Sequence, residues 1–204
     1  MYDDLSKTTV TISFTDDDLA ETTTSISQTH FPPPPLPTSA QLQTFSTSLG
    51  AQFFAAAHSK LSDKAASRTT ADALVAACFA RATDPLPPIA NSYGIPIYAL
   101  RIPIEGGSKA RPVVGRDLDE PRAGDVLVLW EAKFKHNLST KVVGSAEKPH
   151  VAVVEAWDGK KRKVKVIEVG REGGVEEGAY RFEDLKAGAV VVFRAVPRSL
   201  LDSA

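Results

Sequence analysis

The 204-residue chain has one cysteine, Cys78, and one methionine. A single thiol excludes an internal disulfide framework and a cysteine-based zinc cluster. Long hydrophobic runs are missing too, and none approaches the ~20 apolar residues of a spanning helix, so no membrane span is predicted. Charge of one sign is also lacking, with 24 Lys and Arg against 25 Asp and Glu. That balance argues against a general nucleic-acid binder, whose surface is clearly basic. The start, Met1-Tyr2-Asp3-Asp4-Leu5, lacks the basic and then apolar pattern of a secretory leader, so the expected compartment is the cytoplasm. Among the histidines, His58 and His136 have no partner spacing, and neither a metal nor a cofactor is expected.

What is present is 43% hydrophobic and 24% charged residues, enough for a packed core and one domain of ordinary size with a tail. The balanced charge hides a division. Residues 1–46 carry six acidic side chains and Lys7, whereas the rest carry 23 basic and 19 acidic groups. The first segment is rich in Ser and Thr and too polar to offset its chain entropy by burial, so residues 1–37 read as a flexible arm. Within it Thr8–Phe14 alternates like a strand that would join a sheet edge. The arm ends in Phe31-Pro32-Pro33-Pro34-Pro35-Leu36-Pro37. Consecutive prolines pre-form a polyproline II helix, so a partner orders little by docking it. Phe31-Pro32-Pro33-Pro34-Pro35 resembles EVH1 ligands, and Pro34-Pro35-Leu36-Pro37 resembles ligands of WW and SH3 domains or profilin. The plain alternative is a stiff spacer.

Residues 38–204 read as the globular domain. Thr38 or Ser39 caps a helix with Leu42, Phe45, Leu49 and Phe53 at helical spacing. Thr69 or Thr70 caps a second, Ala71 to Arg81, with Asp72 where the helix dipole favours an anion. Then the pattern alternates, predicting strands at Ile95–Leu100, Asp125–Glu131, His150–Trp157, Lys163–Val169 and Val190–Val196. Trp157-Asp158-Gly159-Lys160 signals a hairpin. The fold class is α+β: helices packed on an antiparallel sheet or half-barrel of about five strands.

Gly124-Asp125-Val126-Leu127-Val128-Leu129-Trp130 followed by Pro149-His150-Val151-Ala152-Val153-Val154-Glu155 resembles the CHAP and NlpC-type papain-like amidases. That layout implies a cysteine at the leading helix N-terminus, where the dipole makes thiolate available, and a histidine on the sheet. His150 matches the histidine, and Glu168 resembles the orienting acid. A three-residue loop 158–160 would oppose His150 and Glu168 directly, whereas a two-residue loop would put Glu168 on the other face. Cys78 does not fit the nucleophile. It lies inside its helix near Leu74, Val75 and Phe79, where burial raises a thiol pKa, and Ala71 stands at the helix start.

The pieces Ala71-Asp72-Ala73-Leu74-Val75, Ser92-Tyr93-Gly94, Ala123-Gly124-Asp125-Val126, Ala132-Lys133-Phe134-Lys135 and Tyr180-Arg181-Phe182-Glu183-Asp184-Leu185 carry a further resemblance. They are similar to the C-terminal cysteine-proteinase-fold domain of fungal cortical actin-patch adaptors, the myosin tail region-interacting proteins and relatives named for altered inheritance of mitochondria. In that pattern Gly-Thr-Cys often stands where this chain has Thr69-Thr70-Ala71. The resemblance implies cytoplasmic protein-binding work near actin patches and endocytosis, by a pseudo-enzyme with a vestigial site of Ala71, His150 and Glu168. The alternative is an active thiol hydrolase or acyltransferase using Cys78, or another nucleophile, with His150 and Glu168. The plainer readings are a structural His150, a surface ion pair of Glu168 with Lys163, Lys165 or Arg171, and a solvated turn at Lys160-Lys161-Arg162-Lys163.

Overall fold

The computed structural model describes residues 6–14, 24–61, 68–103, 113–136 and 139–203. They group into two units, residues up to 36 together with those from 199, and residues 37–198. In the first, β1 (Lys7–Phe14) pairs antiparallel with β2 (Thr24–Phe31), with Ile12 opposite Ile26. The Thr8–Phe14 segment is therefore a strand, but its partner is Thr24–Phe31 and not an edge of the large sheet. The second run also alternates, Ser25 and Ser27 with Ile26, so a local hairpin meets the backbone demand.

In the second unit Thr38 opens α1 (Ser39–Phe45) through a capping box. Its hydroxyl accepts from the Gln41 backbone N–H, and the Gln41 side chain accepts from that of Thr38. A π-turn at Ser46–Gly50 leads into α2 (Ala51–Leu61). Next, α3 (Ala71–Arg81) begins at an extended Thr70 whose hydroxyl accepts from Ala73 N at 3.2 Å. The π-turn sits against the loop that leads into the strand starting at Val126. A Cβ on Gly124 (φ +85°) would lie 1.8 Å from the Gly50 carbonyl oxygen. Both the left-handed backbone and the close approach demand glycine there.

Eight strands follow: β3 (Ile95–Ile102), β4 (Val113–Asp117), β5 (Val126–His136), β6 (Ser139–Val143), β7 (His150–Asp158), β8 (Lys163–Val169), β9 (Val175–Arg181) and β10 (Leu185–Arg194). They form one antiparallel sheet in the order β4-β3-β10-β5-β7-β8-β9, with β6 continuing beside β5. The expectation of about five strands is corrected to eight in this sheet among the described residues. Those added, β4, β6 and β9, are short, polar or glycine-bearing and show weak alternation. β5 runs on to His136 past a left-handed Glu131 (φ 47°), and β10 covers Leu185–Arg194, starting and ending earlier than predicted.

The central strands are apolar at nearly every position because both faces are covered. On one face Leu49, Phe53, Leu74, Val75 and Cys78 of the helical segment pack on Val126, Val128, Val151, Val153, Ile167, Val191 and Phe193. On the other, Leu127, Leu129, Ala152, Val154, Val166, Val190 and Val192 are equally buried. This second face is covered by the sheet curling on itself. Tyr98 of β3 stacks on Phe182, just after β9, with ring centroids 5.4 Å apart, although β3 and β9 stand five places apart. Trp157 of β7 joins them at 5.3 Å from Phe182. Each fully buried Val, Leu or Ile contributes ~1.5–3 kcal/mol, so these two apolar layers, and not surface ion pairs, hold the fold.

Candidate functional site

The hairpin of β7 and β8 decides the site. Its turn is Gly159–Arg162, four residues long, so neither the three-residue loop 158–160 nor the two-residue loop is the one formed. Asp158 opposes Lys163 at the turn. Further along, Val154 opposes Val166 while Ala156 opposes Lys165, which leaves Glu155 as an extra residue, a β-bulge. The bulge changes the pairing by one residue, and in a strand one residue exchanges the faces. Beyond it Val153 opposes Ile167, so His150 and Glu168 share a face as diagonal neighbours and are not directly opposed as a three-residue loop would have set them. An unbulged continuation from Asp158 and Lys163 would have put Glu168 on the face of Val153.

On that face the Glu168 carboxylate gathers its partners. His150 Nε2 lies 2.7 Å from Glu168 Oε2, and Tyr180 of β9 donates its hydroxyl to the same oxygen at 2.6 Å. Lys141 of β6 places Nζ 3.8 Å from Oε1, 3.3 Å from the Tyr180 hydroxyl and 4.6 Å from the centre of its ring. Phe134 of β5 closes the cluster against Tyr180 at 5.2 Å. Gly178 makes the room, since a Cβ there would sit 2.3 Å from Glu168 Oε1. Glu168 is only 4% exposed, so its reading as a surface ion pair with Lys163, Lys165 or Arg171 is corrected. Burial alone would push its carboxyl up, but the hydrogen bonds from His150 and Tyr180 and the nearby positive charge outweigh it and hold it below the ordinary glutamate value. Burial and the Glu168 charge push the Tyr180 phenol up, so it stays a donor.

Cys78 lies on the other side of the sheet. It is fully buried in the helix-facing layer with Val151, Val153 and Ile167, the strand neighbours that point away from His150 and Glu168. Its thiol donates to the Leu74 carbonyl at 3.3 Å, and burial pushes its pKa up to about 11. Ala71 starts α3 as predicted and packs against the same layer. The expected grouping of Ala71, His150 and Glu168 therefore reduces to the His150–Glu168 pair. Tyr180, Lys141 and Gly178 were not singled out as site residues. The alternation of Gly178 and Tyr180 along β9 is the signal that marks them.

A second polar cluster underlies the Gly124-Asp125 motif. Arg194, 1% exposed, forks onto Asp125 through Nε at 2.9 Å and Nη2 at 2.8 Å. It also donates to Asp119 and to the carbonyls of Leu42 and Glu120. Every guanidinium nitrogen is engaged, as a buried charge requires, and the cluster ties α1 to the strands.

The proline run from Pro32 to Pro37 has no regular hydrogen-bonded structure, with Leu36 57% exposed. At the hairpin turn Lys161 pairs with Asp158 at 3.5 Å and Arg162 donates to the Tyr98 hydroxyl, so this run is partly docked and not wholly solvated. Among the described residues no helix is long and apolar enough to cross a membrane.

Comparison with known proteins agrees with this architecture. The chain is 38% identical over 94 residues to an SH3 domain-containing protein of Schizosaccharomyces pombe, an overlap of 44% of this chain and 6% of that protein. This chain thus corresponds to a small part of a much longer relative. No solved structure matches the chain. Residues 27–204 match the model of the AIM3/BBC1 cysteine proteinase-fold domain, nearly the whole of the region described above, and the chain belongs to that family.

Proposed function

We propose that this chain is a non-catalytic protein-binding domain, a cysteine-hydrolase shape used as an adaptor. The observation that carries the proposal is the separation of thiol and imidazole: Cys78 is buried in the helix-facing layer while His150 is held by Glu168 on the opposite face. A thiol must come within hydrogen-bond reach of its base to be activated, and the helix N-terminus that would supply such a thiol carries Ala71. Phe31, Pro32, Pro33, Pro34, Pro35, Leu36 and Pro37 serve as a ligand for SH3, WW or EVH1 domains or profilin. The run from Pro32 has no regular hydrogen-bonded structure, and the similar yeast protein is named for an SH3 domain. The resemblance to actin-patch adaptors extends this role to cortical actin patches and endocytosis.

The test is hydrolysis of amide and thioester model substrates by the full chain, beside a His150→Ala variant, with a thiol-reactive probe at pH 7. The expected result is no His150-dependent turnover and labelling of Cys78 only as fast as the protein unfolds. Rapid labelling of the native chain together with turnover lost in His150→Ala would overturn the adaptor reading in favour of a thiol hydrolase.

A further inference from the structure

Beside the Glu168 network an open cleft of about 390 Å³ lies between β6, β8 and β9. Phe134 and the Tyr180 ring give it an apolar floor, and Lys141, Lys163 and Arg181 set three cations around it against the carboxylate of Asp184. Two of the cations are placed at a cost. Lys163 and Arg181 are directly opposed in the β8–β9 register, and like charges in that position repel. Neither forms an ion pair among the described residues. Next to them β6 pairs with β5, and among the described residues no second strand pairs with its outer edge at Thr140–Val142. Thr140 to Val142 are exposed along that edge, with Val142 63% open to solvent. The other face of the β5–β6 ribbon carries exposed Lys133 and Lys135, in register with Val142 and Thr140.

An unpaired edge with cations on both faces suits one kind of occupant. We propose that the outer edge of β6 and the adjoining cleft bind an acidic segment of a partner protein in extended conformation, added as a further strand. Backbone hydrogen bonds to β6 supply the register. Successive acidic side chains of the added strand alternate between Lys141, Lys163 and Arg181 on one face and Lys133 and Lys135 on the other. An apolar side chain further along the first face covers Phe134 and Tyr180. A small free anion would use the cations but leave the strand edge open, so the segment is favoured over it. The inference deepens the protein-binding reading above and rests on it for the class of partner.

The probe is a capped eight-residue peptide with the repeat Glu-Glu-Val-Val, which sets glutamate and valine on both faces of a strand, titrated into the full chain by fluorescence anisotropy and followed by amide chemical shifts. The expected result is saturable binding that perturbs the amides of β6. Affinity should weaken about tenfold or more, ~1.4 kcal/mol, when two central residues of the peptide are proline, which cannot donate to the ladder. The double variant Lys163→Glu/Arg181→Glu should weaken it to a similar degree, and the milder Lys163→Ala/Arg181→Ala guards against misfolding by charge reversal. Equal binding of the proline peptide would mean charge attraction alone and would overturn the proposal. So would absence of binding at millimolar peptide, perturbation confined to other strands, or occupation of the β6 edge by a second copy of the chain. Capture of a purified SH3 domain through residues 31–37 is measured in parallel. If it persists while the peptide fails, the inference falls and the adaptor reading stands.

Discussion

Replacing Glu168 with glutamine tests the buried network most directly, because the change keeps the shape and removes the charge. The carboxylate accepts from His150 at 2.7 Å and from Tyr180 at 2.6 Å, both on Oε2. A hydrogen bond to a charged partner contributes about 1.5–3 kcal/mol. Glutamine keeps one acceptor oxygen for one of these donors and turns an N–H₂ group toward Lys141 or the second donor. The expected loss is therefore about one charge-assisted bond, ~2 kcal/mol at pH 7, and not the sum of two. Lys141 adds little to this figure, since its side chain is 56% exposed and well screened.

The pH dependence follows from the depressed carboxyl of Glu168. A carboxyl lower in the folded than in the unfolded state stabilises the fold in full above the unfolded value, about 4.3, and loses that contribution as pH falls through the folded value. Denaturant midpoints of wild type and Glu168→Gln, read by the fluorescence of Trp130 and Trp157, should lie well apart at pH 7 and converge only as pH falls through the depressed folded value of Glu168. A gap that is absent at pH 7, or that persists unchanged into acid, would refute an ionised Glu168 as the hub of the site.

Other perturbations follow from the same geometry. Gly178→Ala should displace the Glu168 carboxylate, lowering stability by about 1–3 kcal/mol and shifting the His150 ring resonances; unchanged resonances would show that the clash at 2.3 Å is relieved without moving the site. Arg194→Met leaves Asp125 buried and unpaired and should cost about 3–5 kcal/mol by calorimetry, whereas a loss under ~1 kcal/mol would mean that the cluster holds little of the fold. Cys78→Ser keeps a donor for the Leu74 carbonyl but buries a hydroxyl among apolar side chains, so a loss of about 1–3 kcal/mol is expected, together with unaltered peptide and SH3 binding.

The α3 start, the apolar strand cores and the burial of Cys78 were legible because each is a local property. Thr70 before Ala71, the near-continuous apolar residues of β5, β7 and β10, and a thiol in register with Leu74 state their environment through nearest neighbours. His150 and Glu168 were legible as candidates through resemblance. Strands β4, β6 and β9 were not, because their weak patterns become strands only through the partners that tertiary folding brings. With β6 and β9 went Lys141 and Tyr180, which lie far from Glu168 along the chain or beyond a glycine-rich turn.

By itself the sequence determined the class of the molecule: helices leading into an antiparallel sheet, an alanine at the helix start, one thiol inside the core, and an acidic segment ending in prolines. Tertiary structure alone decided which faces the functional residues occupy. Side chains alternate with a period of two, so the one extra residue at Glu155 turns Glu168 from the face of Val153 to that of His150. No residue type announces such a bulge. It sets His150 with its carboxylate on one side of the sheet, while Cys78 lies on the other.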